Sequence, residues 1–66
     1  MKKYGEILKA HRENMDLTQA QLANATGITQ QAISLWECNK TTPKIEYCEI
    51  LADFYGMSLD ELVGRI

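Results

Sequence analysis

The sequence predicts an all-α fold, a compact bundle of five helices in a single domain over residues 1–66. Two observations carry this prediction. Apolar and polar residues nowhere alternate with a period of two over the length of a strand. Three segments instead begin alike, with an apolar residue, a Ser or Thr, and a second apolar residue four positions after it, which is typical of helix N-termini.

The first helix is predicted over residues 3–14, ending near Met15–Asp16 without a glycine. Its inward face follows spacings of three and four and comprises Tyr4, Leu8, His11 and Met15.

The second and third helices follow at once and are joined by a very short turn. Thr18 and Gln21 form a capping box for helix 2, and Gly27 is suited to end it. Thr29 is the N-cap predicted for helix 3, which should end near Cys38 with Asn39 in a left-handed conformation. Two short helices that are joined by so few residues must cross at a steep angle. Residues 18–37 are therefore predicted to form a helix-turn-helix.

The fourth helix is predicted to use Thr42 as N-cap and Pro43 as its first residue, and to end at Gly56. Its inward stripe should comprise Ile45, Cys48, Ala52 and Tyr55, with Leu51 beside it. The fifth helix begins at Ser58, which forms a capping box with Glu61.

Size and composition argue against several function classes. A chain of 66 residues buries only about 60% of its unfolded surface and has little room for a catalytic pocket. The single histidine, His11, has no nucleophile and acid around it, so we expect no enzyme. Two cysteines without a Cys-x-x-Cys pair are too few ligands for a metal, and no cofactor is expected. No signal peptide or apolar run long enough for a membrane is found, which predicts a cytoplasmic protein.

The net charge of −2 is unevenly distributed. Residues 1–44 carry six basic and four acidic side chains, whereas residues 45–66 carry one basic and five acidic ones. Residues 17–36 carry no charge at all. A nucleic acid would therefore approach the first two thirds of the chain.

Helix 3 presents a polar face suited to DNA. A helical wheel places Ile33 and Trp36 on the inward side and Gln30, Gln31 and Ser34 on the other. Glutamine can bind adenine through two hydrogen bonds in the major groove. The plain alternative is that both glutamines are only solvated surface.

Ordered landmarks over most of the chain carry a family resemblance. The landmarks are Leu17-Thr18-Gln19, Leu22-Ala23, Gly27-Ile28, Ile33-Ser34, Trp36-Glu37, Lys40, Pro43, Leu51-Ala52, Gly56 and Ser58-Leu59-Asp60-Glu61-Leu62. In these landmarks the chain resembles the phage repressor and Cro family, the lambda-repressor-like DNA-binding domains.

The resemblance implies sequence-specific binding of double-stranded DNA by a transcriptional regulator, and in a chain this short we expect a repressor. Base contacts would come from Thr29, Gln30, Gln31 and Ser34. Phosphate contacts would come from Thr18, Gln19, Lys40, Thr41 and Thr42. Arg12 and Glu37 match a pair that forms a partly buried salt bridge in several relatives. His11 and the pair Cys38-Asn39 depart from the usual pattern.

Four apolar residues near the C-terminal end fall outside the inward stripes, namely Ile50, Phe54, Val63 and Ile66. They predict a self-association patch, because relatives dimerise there to bind two half-sites about 34–36 Å apart.

Two other interpretations of the sequence stay open. The domain could be a protein-interaction module or antitoxin-type partner with weak or no DNA binding, and Cys38 could be a redox sensor rather than an inert thiol.

Overall fold

A computed structural model describes residues 3–65, which form five helices and no strand. The helices are α1 Tyr4–Asn14, α2 Gln19–Thr26, α3 Gln30–Glu37, α4 Ile45–Tyr55 and α5 Leu59–Leu62. The predicted all-α architecture is confirmed, with α2 and α3 forming the helix-turn-helix.

Side-chain caps stabilise the beginnings of α2, α3 and α5, as predicted from Thr18, Thr29 and Ser58. Thr18 Oγ1 accepts from the Gln21 backbone at 3.1 Å, and Gln21 Oε1 accepts from the Thr18 backbone at 2.8 Å. Ser58 and Glu61 form the same reciprocal pair before α5. Each cap satisfies amides that have no partner within the helix.

Left-handed residues end the helices around the helix-turn-helix. Gly27 closes α2 at a φ of 78° and Asn39 follows α3 at 61°, both as predicted. Asp16, rather than a glycine, turns the chain after α1 at a φ of 56°. A short polar side chain is tolerated there because it can hydrogen-bond locally.

The core lies where the helix-turn-helix meets the other helices. Ile33 and Leu62 are almost fully buried, and Leu22, Trp36 and Leu51 lie beside them. Trp36 therefore has the core position that was predicted, and its indole lies 5.4 Å from the Tyr47 ring. Such burial is the main stabilising contribution in a domain of this size.

The predicted beginning of α4 is wrong. Thr42 caps nothing and Pro43 is not helical, because Lys44 is extended and α4 begins at Ile45 with no side-chain cap. The Pro43 carbonyl accepts a weak bond from the Cys48 thiol at 3.9 Å instead of a helical amide bond. The preceding loop makes contacts with α1, which are described below, and Lys44 at its end is extended.

Two residues predicted to face inward lie at the surface. Ile45 is 64% exposed because it is the first residue of α4, and Met15 is 55% exposed because it follows the end of α1. Cys48 and Ala52 are buried as predicted, and Leu51 is as central as either. Burial raises the pKa of the Cys48 thiol, which keeps it protonated.

His11 fastens α1 to α5. Its Nε2 lies 3.2 Å from the Glu61 carbonyl oxygen and 3.0 Å from that of Leu62, so this nitrogen carries the proton and donates. His11 is therefore a half-buried, hydrogen-bonded side chain. None of the helices within residues 3–65 is both long and apolar enough to cross a membrane.

Candidate nucleic-acid interface

The polar residues predicted to contact bases lie together on the first two turns of α3. Gln30 and Gln31 are exposed and Ser34 is half-buried, whereas Ile33 is buried on the opposite side. An open groove beside Gln30 is lined mainly by small residues of α2 and the turn, namely Ala20, Ala23, Asn24 and Gly27. The Gln30 side chain therefore lies at an open groove that a ligand can enter.

Thr29 and Thr18 are exposed, but both already serve as helix caps. Thr29 Oγ1 accepts from the Ala32 backbone at 3.2 Å, and Thr18 Oγ1 accepts from Gln21. A hydroxyl that accepts one bond can still donate its own proton. Each threonine can thus cap its helix and donate to an outside oxygen at the same time.

Gln19 is held by the carboxylate at the end of α3. Its Nε2 donates to Glu37 Oε1 at 3.0 Å, which uses one of the two amide protons. The second proton remains for an outside acceptor. Gln19 therefore both joins α2 to α3 and keeps a donor at the beginning of α2.

Glu37 also pairs with Arg12, as the resemblance implied. Arg12 Nε donates to Oε2 at 2.8 Å and Nη2 to Oε1 at 2.9 Å, while Nη1 donates to the Leu17 carbonyl at 2.7 Å. The Arg12 and Glu37 side chains are only 10% and 5% exposed. The hydrogen bond to Glu37 raises the pKa of Arg12 above its already high usual value, so the guanidinium keeps its charge.

Burial of Arg12 reduces the positive charge that a phosphate can meet. Within residues 3–65, the exposed cations of the first two thirds are Lys3, Lys9, Lys40 and Lys44. Of the residues predicted to contact phosphate, Lys40, Thr41 and Thr42 are all exposed in the loop between α3 and α4. The described residues hold no group of three metal-binding side chains.

Two contacts of this loop were missed by sequence reasoning. Tyr4 Oη donates to the Thr41 carbonyl at 2.6 Å, and the Gly5 amide donates to Asn39 Oδ1 at 3.0 Å. These residues are 37 and 34 positions apart, so no local pattern could have indicated the pairing.

The residues predicted for self-association differ in their surroundings. Ile50 is 39% exposed, whereas Phe54 packs partly against the core and Val63 is half-buried. Ile66 lies outside the described residues.

A helix-turn-helix family model matches residues 8–62, which include all five helices except the first turn of α1. The chain belongs to this helix-turn-helix family. The predicted resemblance to phage repressors is confirmed, because a phage repressor is among the proteins to which this chain is similar.

Three relatives of this helix-turn-helix protein are similar over most of its length. The HTH-type transcriptional activator BcrR of Enterococcus faecalis is 34% identical over 92% of this chain and 30% of its own length. The cryptic phage CTXphi transcriptional repressor RstR of Vibrio cholerae is 38% identical over 80% of this chain and 48% of its own. The HTH-type transcriptional regulator PuuR of Escherichia coli K12 is 37% identical over 92% of this chain and 33% of its own.

The chain thus spans between about a third and a half of the length of these relatives. No solved structure matches it. The likeness to this family accordingly rests on sequence and on the helical geometry described above.

Proposed function

We propose that this domain binds double-stranded DNA at a specific sequence and regulates transcription. The observation that carries the proposal is the geometry of α3, which exposes Gln30 and Gln31 on its first turn while Ile33 and Trp36 anchor the opposite side in the core. An α-helix fits the major groove, and an anchored helix holds its polar side chains in a fixed register there.

Base recognition is assigned to the exposed face of α3. Gln30 binds adenine through its two-pronged amide, and Gln31, Ser34 and Thr29 complete the reading face. Because residues 17–36 carry no charge, this recognition depends on hydrogen bonds and shape rather than on ion pairs.

Phosphate binding is assigned to two sites that flank α3. At the beginning of α2, Gln19 offers its remaining amide proton, Thr18 its hydroxyl, and the helix end a favourable dipole. On the other side, Lys40 supplies charge and Thr41 and Thr42 supply hydroxyls. Such contacts fix the register of the protein on the duplex without selecting a sequence.

The domain acts as a homodimer that represses transcription by occupying an operator with two half-sites. The Cα atoms of one copy of the domain extend 28 × 25 × 23 Å along its three principal axes. Two copies side by side can therefore place their α3 helices about one turn of DNA apart, roughly 34–36 Å. Ile50, Phe54 and Val63 provide the apolar contact between them.

Selection of binding sites from a random duplex library tests this proposal. We expect enrichment of a site with two-fold symmetry. No enrichment even at about 50 mM salt, where phosphate contacts are strongest, would contradict DNA binding. That outcome would favour the second candidate, a protein-interaction module, which the net charge of −2 supports. A reporter gene carrying the selected site then measures whether the protein represses it.

A further inference from the structure

The loop that carries Lys40, Thr41 and Thr42 has two distinct attachments. Lys40 N donates to the Leu35 carbonyl at 3.0 Å, which fixes the beginning of the loop to α3. Helical hydrogen bonds resume only at the Lys44 carbonyl. Between these points, the bond from Tyr4 Oη to the Thr41 carbonyl at 2.6 Å ties the middle of the loop to α1.

Asn39 adds a second link between the same two elements. Lys3, the N-cap of α1, makes no side-chain cap bond, and Asn39 Oδ1 instead accepts from the Gly5 amide at 3.0 Å. Asn39 therefore caps α1 from 34 residues away while it turns the chain out of α3 with a positive φ.

Gly5 permits this close approach. A Cβ at this position would lie 2.6 Å from the Trp36 carbonyl oxygen and 2.7 Å from both the Glu37 carbonyl oxygen and Asn39 Oδ1. Only a glycine lets the end of α3 lie so near the first turn of α1. Specific hydrogen bonds therefore attach this loop to α1.

We infer that Tyr4 and Asn39 are positioning residues for DNA binding, which hold the Lys40–Thr42 loop in the conformation that contacts the phosphate backbone. This inference rests on the proposed function. Ordering a loop on binding costs conformational entropy, and a loop ordered beforehand avoids that cost. Neither side chain needs to touch DNA to have this effect.

A double-mutant cycle tests the inference on the selected DNA site. Tyr4→Phe removes only the hydroxyl, and we expect it to weaken binding between about twofold and tenfold, the value of one hydrogen bond. The loss should be smaller in a Lys40→Ala background, because the loop then has no cation to position and keeps only the hydroxyls of Thr41 and Thr42. Tyr47→Phe removes the hydroxyl of another partly exposed tyrosine, distant from α1 in sequence, and serves as the matched control.

Salt dependence separates positioning from general loss of stability. Lys40→Ala should reduce the slope of log K against log salt by about one per subunit, and Tyr4→Phe should shift the slope in the same direction. Asn39→Gly, which keeps the positive φ but removes the amide oxygen, should behave like Tyr4→Phe. All variants are compared at a temperature where circular dichroism shows each to be folded.

Backbone relaxation by NMR supplies a readout without DNA. We expect lower order parameters at Lys40, Thr41 and Thr42 in Tyr4→Phe and unchanged ones in Tyr47→Phe. The inference alone is overturned if the wild-type protein selects a site but Tyr4→Phe has the same DNA affinity, the same salt slope and the same loop order parameters as wild type. A wild-type protein that binds no DNA overturns the proposed function and with it the positioning role.

Discussion

Gln19 Nε2 and Glu37 Oε1 lie 3.0 Å apart and join the beginning of α2 to the last residue of α3. Because Glu37 also receives two bonds from Arg12, one carboxylate sets the relative position of three helices. The angle between the two helices of the motif is therefore supported by a polar network as well as by the apolar core.

Removing the negative charge of this network should strongly destabilise the domain. Glu37→Gln leaves Arg12 buried without a counter-charge, which costs about 3–5 kcal/mol. Since about 1 kcal/mol shifts the melting temperature of so small a domain by roughly 4–8 °C, thermal unfolding followed by circular dichroism measures the effect. Glu49→Gln, at an exposed position in the interior of α4, is the control and should change stability by less than about 0.5 kcal/mol. Equal melting temperatures for Glu37→Gln and wild type would contradict this account.

Gly5→Ala should destabilise the domain although alanine is the better helix former. In an ordinary helix interior the change stabilises by up to about 1 kcal/mol. Here the new Cβ would lie 2.6 Å from the backbone oxygen of Trp36, and relieving such a clash costs about 1–3 kcal/mol. Urea unfolding measures the difference, and Ala10→Gly, at an exposed position of α1, calibrates the normal propensity. A more stable Gly5→Ala protein would show that α1 does not lie so close to α3.

Alkaline pH should destabilise the domain through Tyr55. Its hydroxyl is buried with no hydrogen-bond partner among residues 3–65, and burial, aided by the negative charge of Glu37, raises its pKa from 10.0 to about 12. The folded state then keeps a proton that the unfolded state loses, so stability is full below pH 10 and falls as the pH rises toward about 12.

Tyr55→Phe tests this dependence. We expect the variant to be at least as stable as wild type at neutral pH, because it removes a buried unpaired hydroxyl, and to lose less stability between pH 10 and 12. Tyr47→Phe, which changes a tyrosine that is 37% exposed, is the control for loss of a tyrosine hydroxyl. Parallel profiles for wild type and Tyr55→Phe would refute the assignment.

Self-association should depend on Ile50. Ile50→Glu places a charge in the apolar patch, where burial between two copies would be costly, so the variant should sediment as a monomer. Ile45→Glu is the matched control, since Ile45 is 64% exposed on the same helix but lies outside the patch. A wild-type monomer at high micromolar concentration would remove the proposed dimer, and loss of the dimer in Ile45→Glu would place its surface elsewhere.

Local signals in the sequence were enough to predict most of the fold. Capping by Thr18, Thr29 and Ser58 depends on residues three positions apart, and the left-handed turns at Gly27 and Asn39 depend on single residues. Such interactions are visible in any window of a few residues. The positions of Gln30 and Gln31 on the exposed face follow from the same helical register.

The errors arose where distant residues decide the local structure. Thr42-Pro43 has the local pattern of a helix start, but Tyr4 binds the preceding Thr41 carbonyl and the helix begins only after Lys44, which is extended. Gln19 was predicted to contact phosphate, but its bond to Glu37 Oε1, 18 residues away, could be identified only in three dimensions. Long-range polar contacts leave no periodic trace in a single sequence.

The central claim is that Gln30 recognises a base, and repeating the site selection with Gln30→Ala tests it most directly. We expect the variant to bind with the same overall site but to lose its preference at one position of each half-site, at a cost of about 1–3 kcal/mol in discrimination. Gln19→Ala, as control, should weaken all sites about equally. An unchanged preference at every position in Gln30→Ala would contradict base recognition by the exposed face of α3.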